Sequence, residues 1–181
     1  MTCETEHKPF QKTGKSVGID TGIKELAILS DGSSYENIRS LKTKLKKLRF
    51  GQRQLSKKTK GSGARGRQKQ KLSLVHEQIS NIRKDYLHKG STELIKNHDI
   101  LSVEDLAVKN IMKNHCLAQA MGDVSLGAFY SMLEYKANWN DRPFVKIDRW
   151  FPSSKSCSAC GWIKQEVTLS IREWVCGSCG E

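Results

Sequence analysis

The chain has 181 residues, 37% hydrophobic and 28% charged, with a formal net charge of +12. That length supports one core-forming domain plus a small appendage. No apolar run approaches the roughly 18 residues of a membrane span, and residues 1–15 are too polar for a signal peptide. A cytosolic protein is expected, in which paired cysteines favour metal over disulfides.

In chain order, Ser16 to Gly22 reads as a short strand ending in a tight turn, and Leu26 to Leu29 as a second strand closed by Asp31-Gly32. The two are expected to pair as a hairpin. Leu41, Leu45, Leu48 and Leu55 then recur at helical spacing, 61–66 breaks the helix, and Val75, Ile79, Ile82 and Tyr86 begin a second one continuing to Ile95. Together they predict a helical hairpin with an apolar seam and a basic outer face.

The charge is concentrated there. Thirteen basic residues lie between Leu41 and Lys71, with no Asp or Glu among them: Lys42, Lys44, Lys46, Lys47, Arg49, Arg53, Lys57, Lys58, Lys60, Arg65, Arg67, Lys69 and Lys71. A solvated helix face usually mixes both signs, so a one-sign segment points to a polyphosphate partner, nucleic acid above all. Aromatic residues are absent apart from Phe50, which favours contact with the phosphate backbone over base stacking.

Asp99 to Glu104 is expected as a third, buried strand; Val108 to Cys116 carries no clear pattern and reads as loop. Leu126 to Trp139 is a helix by its spacing of Phe129, Leu133 and Ala137, and Phe144 to Ile147 a further strand. Strand, strand, helical excursion, strand, helix, strand predicts an α/β fold with a mixed sheet.

The chain ends in Cys157-x-x-Cys160 and Cys176-x-x-Cys179, fifteen residues apart, each pair followed by glycine (Gly161, Gly180). This is the spacing of a four-thiolate zinc ribbon, closed and therefore structural. Ile163 to Thr168 and Glu173 to Val175 are the stretches available for its short strands. Cys3 and Cys116 lie outside the pattern. Asp20 and Glu104 end the first and third strands, where two carboxylates suit Mg²⁺; from spacing alone, a strand-terminal Asp is more often a turn residue.

Four stretches together resemble one family: Val17-Gly-Ile-Asp-Thr-Gly-Ile-Lys-Glu-Leu-Ala27, Leu101-Ser-Val-Glu-Asp-Leu106, Phe151-Pro-Ser-Ser-Lys-Ser-Cys-Ser-Ala-Cys-Gly161 and Leu169-Ser-Ile-Arg-Glu-Trp-Val-Cys176. In this order they resemble TnpB, the OrfB-type transposases of insertion sequences, related to type V CRISPR nucleases. The resemblance implies a RuvC-like, RNase H-type sheet carrying a zinc ribbon, in a DNA endonuclease guided by a transposon-derived RNA. It implies that Asp20 and Glu104 are catalytic acids binding Mg²⁺, and that the four cysteines hold Zn²⁺. It divides the chain into a tail (1–14), a partial nuclease domain (15–156, with the basic excursion at about 40–97) and the ribbon (157–181). DNA and a guide RNA are the implied partners, in the cytoplasm of a prokaryote. The family's third acid and its N-terminal guide-gripping region have no counterpart in these residues. The expectation is therefore an incomplete RuvC-like fold with impaired or absent cleavage. The alternatives are a non-catalytic nucleic-acid-binding module and a decayed reading frame.

Overall fold

The computed structural model describes residues 8–181 except 107, 149, 153, 167, 169, 170 and 172. Two compact units divide the chain at Lys146 and Ile147.

In the first unit, strands β1 (Ser16–Thr21), β2 (Glu25–Leu29) and β3 (Ser34–Glu36) form an antiparallel meander, and β4 (Ile100–Glu104) adds parallel to β1. With β5 (Phe144–Ile147) the sheet order is β3-β2-β1-β4-β5. The predicted β1–β2 hairpin is present, with Asp20 opposite Ile28. Strand alternation sets the faces: Val17, Ile19, Leu101 and Val103 are each no more than 3% exposed. They share a core with Leu87, Leu94 and Ile95 of helix α2 (Gly63–Asn97) and Phe129 and Leu133 of helix α5 (Leu126–Trp139).

Helix α1 (Ser40–Ser56) pairs with the first half of α2 through a separate cluster of Leu48, Leu72, Val75 and Ile79, with Leu41 and Leu55 at its edge. The seam is narrower than the sequence pattern suggests. Leu45 instead lines a cleft, and Ile82 is 46% exposed, because α2 there leaves α1 before reaching the sheet core. Gly51 allows the helices to touch: a Cβ there would sit 2.6 Å from Leu72 Cδ2.

The stretch expected as loop is helical at both ends. Val108–Ile111 forms the short helix α3, and His115 and Cys116 open helix α4 (His115–Val124). Asn114 caps α4, its side chain accepting from the Cys116 amide. Helix α1 lacks a side-chain cap of its own; Asp123 of α4 takes that role from a distance. Its carboxylate accepts from Ser40 Oγ (3.1 Å), Leu41 N (2.8 Å) and Lys42 N (3.1 Å), and pairs with Arg83 at 3.3 Å.

Ahead of β1, the chain is strapped down by Asp99 and Arg142. Asp99 accepts from the amides of Thr13 and Gly14, and Arg142 bonds the Asp99 carboxylate at 2.7 Å and the carbonyls of His98 and Gln11. The Thr13 amide, then the Gly14 amide and the Arg142 charge, hold the Asp99 carboxyl below its ordinary value of 3.8. A carboxylate held down in the fold stabilises above its unfolded pKa, and that contribution is lost as pH falls through the folded one. Asp99→Asn should therefore flatten the loss of melting temperature below about pH 4; an unchanged acid limb would remove the strap from the account.

The second unit holds the four cysteines. Beyond β5, the only strand pairing among its described residues is an isolated bridge between Ser156 and Ile163, and part of the two stretches considered for strands lies outside the described residues.

Candidate active site and metal centre

Asp20 and Glu104 reach the same end of the sheet by topology. β1 and β4 run parallel with Ile19 opposite Val103, so the next residue of each strand is one of the two acids. Alternation turns both away from the helix-covered face that buries Ile19 and Val103. The opposite face is open: Ile28, beside Asp20 in the ladder, is 47% exposed and Ile100 43%. Asp20 itself is exposed and Glu104 half-buried. Two carboxylates on adjacent strand ends, facing solvent, suit an oxygen-preferring divalent cation that keeps waters.

Tyr130, on α5, ties the two strand ends together. Its hydroxyl donates to the Glu104 carbonyl oxygen at 3.3 Å and meets the Thr21 hydroxyl beside Asp20. Burial raises its pKa; the Thr21 bond opposes this, while the charges of Glu104, Asp20 and Asp105 add to it. One phenol thus senses all three carboxylates. Asp148, in the second unit, accepts from the Trp150 amide at 2.7 Å and serves as a turn residue.

The cysteine centre repeats one backbone motif twice. Cys157 N donates to Trp162 O and Gly161 N to Cys157 O; Cys176 N donates to Glu181 O and Gly180 N to Cys176 O. Each knuckle closes through a left-handed glycine, Gly161 at φ 73° and Gly180 at φ 78°, a region in which other residues are strained. Cys157 and Cys179 sulfurs lie 3.6 Å apart, as do those of Cys160 and Cys176, and all four lie within 4.8 Å of one another. A disulfide needs about 2 Å, whereas a tetrahedron with metal–sulfur arms of about 2.3 Å has edges of about 3.8 Å. The donors fit a closed tetrahedral metal site, such as zinc.

Their electrostatics agree. The Cys179 amide leads the donors that pull the Cys176 thiol down to about 6 against its burial. Cys179 is pushed up to about 12: the Glu181 amide lowers it, but the thiols of Cys157, Cys160 and Cys176 outweigh that donor. So close a cluster gives up its first proton readily and its last reluctantly. A central dication allows all four to ionise together.

Of the thirteen basic residues, Lys42, Lys46, Lys47, Arg49, Arg53, Lys57, Lys60, Arg67, Lys69 and Lys71 are exposed on the hairpin; Lys44 and Lys58 are half-buried. Arg65 is committed elsewhere, donating to the Leu55 and Lys58 carbonyl oxygens at the end of α1. Sequence reading missed Tyr130 and Asp123. A polar residue on an otherwise apolar helix face was the available signal for Tyr130, whereas nothing local marks Asp123, whose partners lie on distant helices. Cys116 is exposed, and Cys3 lies outside the described residues.

Residues 1–115 match the profile of the OrfB_IS605 family, described as "Probable transposase", and residues 127–181 that of the "Cas12f1-like, TNB domain". A protein of Streptomyces pristinaespiralis named "Putative RNA-guided DNA endonuclease" is 42% identical over 99% of this chain and 44% of its own length. A relative in Escherichia coli K12, given the same name with the suffix InsQ, is 34% identical over 97% of this chain and 48% of its own length. The chain thus spans less than half the length of these relatives. The cryo-EM structure of a Cas12f1–sgRNA–target DNA complex contains a chain that matches with TM-score 0.51 at 19% identity. The match covers 81% of this chain and 39% of that one, and shows a shared fold.

Proposed function

The chain belongs to the OrfB_IS605 family, and from that premise we propose that it is the nuclease-core portion of a TnpB-type, RNA-guided, metal-dependent DNA endonuclease. The observation that carries this reading is the placement of Asp20 and Glu104 on one open sheet face, at the carboxyl ends of adjacent parallel strands. In a RuvC-like domain (15–156) these two acids would hold Mg²⁺, which when bound would supply water activation and charge stabilisation for phosphodiester hydrolysis. Zn²⁺ on Cys157, Cys160, Cys176 and Cys179 is structural and holds the ribbon (157–181) folded. Guide RNA and DNA are the partners, in the cytoplasm of a prokaryotic cell and at the nucleoid when DNA is bound. No described helix is long and apolar enough to cross a membrane.

The exposed lysines and arginines of the hairpin contact phosphates. Log affinity for a DNA duplex should then fall linearly with log salt, at a slope of about −0.9 per phosphate contact. Affinity indifferent to salt would remove the hairpin from the interface.

Two carboxylates supply few of the oxygen ligands that Mg²⁺ takes, so cleavage by this chain alone is expected to be weak or absent. The site is tested independently of cleavage by Mn²⁺ titration followed by paramagnetic resonance. Binding should be weak, in the millimolar range, and lost in the Asp20→Asn/Glu104→Gln double variant. Equal binding by the double variant would end this reading of the acids. Mg²⁺-dependent cleavage that Asp20→Ala abolishes would confirm the acids and refute the expected impairment.

A further inference from the structure

A cleft of about 580 Å³ opens at the root of the basic hairpin, between the β1–β2 turn, α1 and α4. Ile23, Leu45 and Leu117 give it apolar lining, and the exposed Lys24, Arg39 and Lys42 give it positive charge. Asp123 also reaches the wall, but its carboxylate is already taken by three donors at the start of α1 and by Arg83. The uncommitted charge of the cleft is therefore positive. We propose that this cleft binds one unpaired nucleotide of a nucleic-acid strand, its base against the apolar lining and its phosphates on Lys24, Arg39 and Lys42.

Size and lining both suit that guest. Small-molecule sites of about 300–1,000 Å³ are mostly apolar with a few placed polar groups, and single strands are bound by a charged track beside a surface that accepts base faces. Gln119, on the same wall, offers an amide, the group that matches the hydrogen-bonding edge of a base.

Two further features locate the phosphates. Arg39 adopts φ 45°, ψ 49°, a left-handed conformation that strains a residue with a Cβ. Glycine would relieve that strain; arginine instead brings a guanidinium to the mouth. Lys42 begins the run of cations along α1, so a backbone tracking the exposed Lys46, Arg49 and Arg53 arrives at the cleft. A base in a duplex presents its edge to its partner and its faces to its neighbours, and enters such a site only when unpaired.

This inference rests on the reading of the hairpin as a nucleic-acid surface, and one experiment separates the two. Cys116 lines the cleft and is exposed, which makes its alkylation by N-ethylmaleimide a reporter of occupancy. The zinc-loaded full chain is labelled with and without oligouridine RNA, oligothymidine DNA or a blunt duplex, while bulk binding is followed by fluorescence anisotropy. Peptide mass spectrometry reads Cys116 apart from the other cysteines. A single strand at about four times its Kd should slow Cys116 labelling about fivefold, and the duplex should bind without slowing it. Protection by RNA, by DNA or by both supports the site and identifies the sugar it accepts.

Arg39→Gly removes the cation while relaxing the backbone, so a folding defect is not its expected consequence. It should lower protection and reduce the single-strand salt slope by about 0.7. Leu117→Glu, at a position 39% exposed, puts an anion in the apolar lining and should abolish protection while hairpin binding persists. Bound single strands that leave Cys116 labelling unchanged, or a duplex that protects equally, overturn the nucleotide site alone. Failure of every strand to bind overturns it together with the reading of the hairpin.

Discussion

Chelation of the ribbon's metal at neutral pH is expected to unfold residues 157–181 and leave the first unit intact. The second unit has almost nothing else to hold it: Cys157 and Cys176 are its only buried apolar side chains among the described residues. Trp162 is 39% exposed, Ile163 50% and Val175 70%. Zinc binding to such small modules is worth about 10–16 kcal/mol in apparent free energy, most of it realised as folding. The measurement is amide dispersion in a ¹H–¹⁵N spectrum before and after a zinc chelator, with Cys176→Ser as the genetic equivalent. Ribbon resonances should collapse to random-coil positions, while Val17, Leu101 and Phe129 keep theirs. Retained dispersion in the ribbon would mean that its turns and the Trp162–Trp174 contact, at 6.3 Å between ring centroids, suffice without metal. Because the thiols must lose protons to bind, the metal should be released as pH falls.

Asp123→Ala should destabilise the first unit by about 3 kcal/mol. The substitution removes the acceptor of three donors at the start of α1 and leaves Arg83 without its anion. Loss of a cap alone costs about 0.5–2 kcal/mol, and removing one partner of a buried ion pair about 3–5 kcal/mol. Arg83 is 23% exposed and can recover some hydration, which holds the total near the lower end of the ion-pair range. Asp123→Asn keeps an acceptor without the charge and should fall between wild type and Asp123→Ala. Denaturant unfolding measures both. Equal midpoints for wild type and Asp123→Ala would mean that α1 starts without help from α4.

Most of the sheet was legible because strand alternation is a local signal. Val17 and Ile19 in β1, and Leu101 and Val103 in β4, point one way and are buried. β3 escaped because Ser34, Tyr35 and Glu36 carry no apolar alternation; the strand exists through its pairing with β2, Tyr35 opposite Ala27. α4 escaped as well: the loop reading of Val108 to Cys116 took in its Asn114 cap and its first turn. The cysteine ligands were readable from spacing, since a tetrahedral site constrains the chain to short turns. The acids were less so: their strand-end positions suggested a Mg²⁺ pair, but only the family resemblance favoured that over turn residues, because what brings two carboxylates together is a parallel pairing across 84 residues. Asp123 and Tyr130 act through partners equally remote in sequence, and no local pattern encodes them.

Helix α2 belongs to two hydrophobic clusters at once. Its first half, with Leu72, Val75 and Ile79, shares a cluster with α1, while Leu87, Leu94 and Ile95 are set in the sheet core. Thirty-five residues make a rod of about 52 Å, clamped at one end and loaded with positive charge at the other. Such a rod is a cantilever. Its clamped half shares the sheet core, whereas its other half is packed on α1 in a cluster outside that core. Hydrogen exchange along this single helix should therefore be graded, slow from Leu87 to Ile95 and faster toward Gly63.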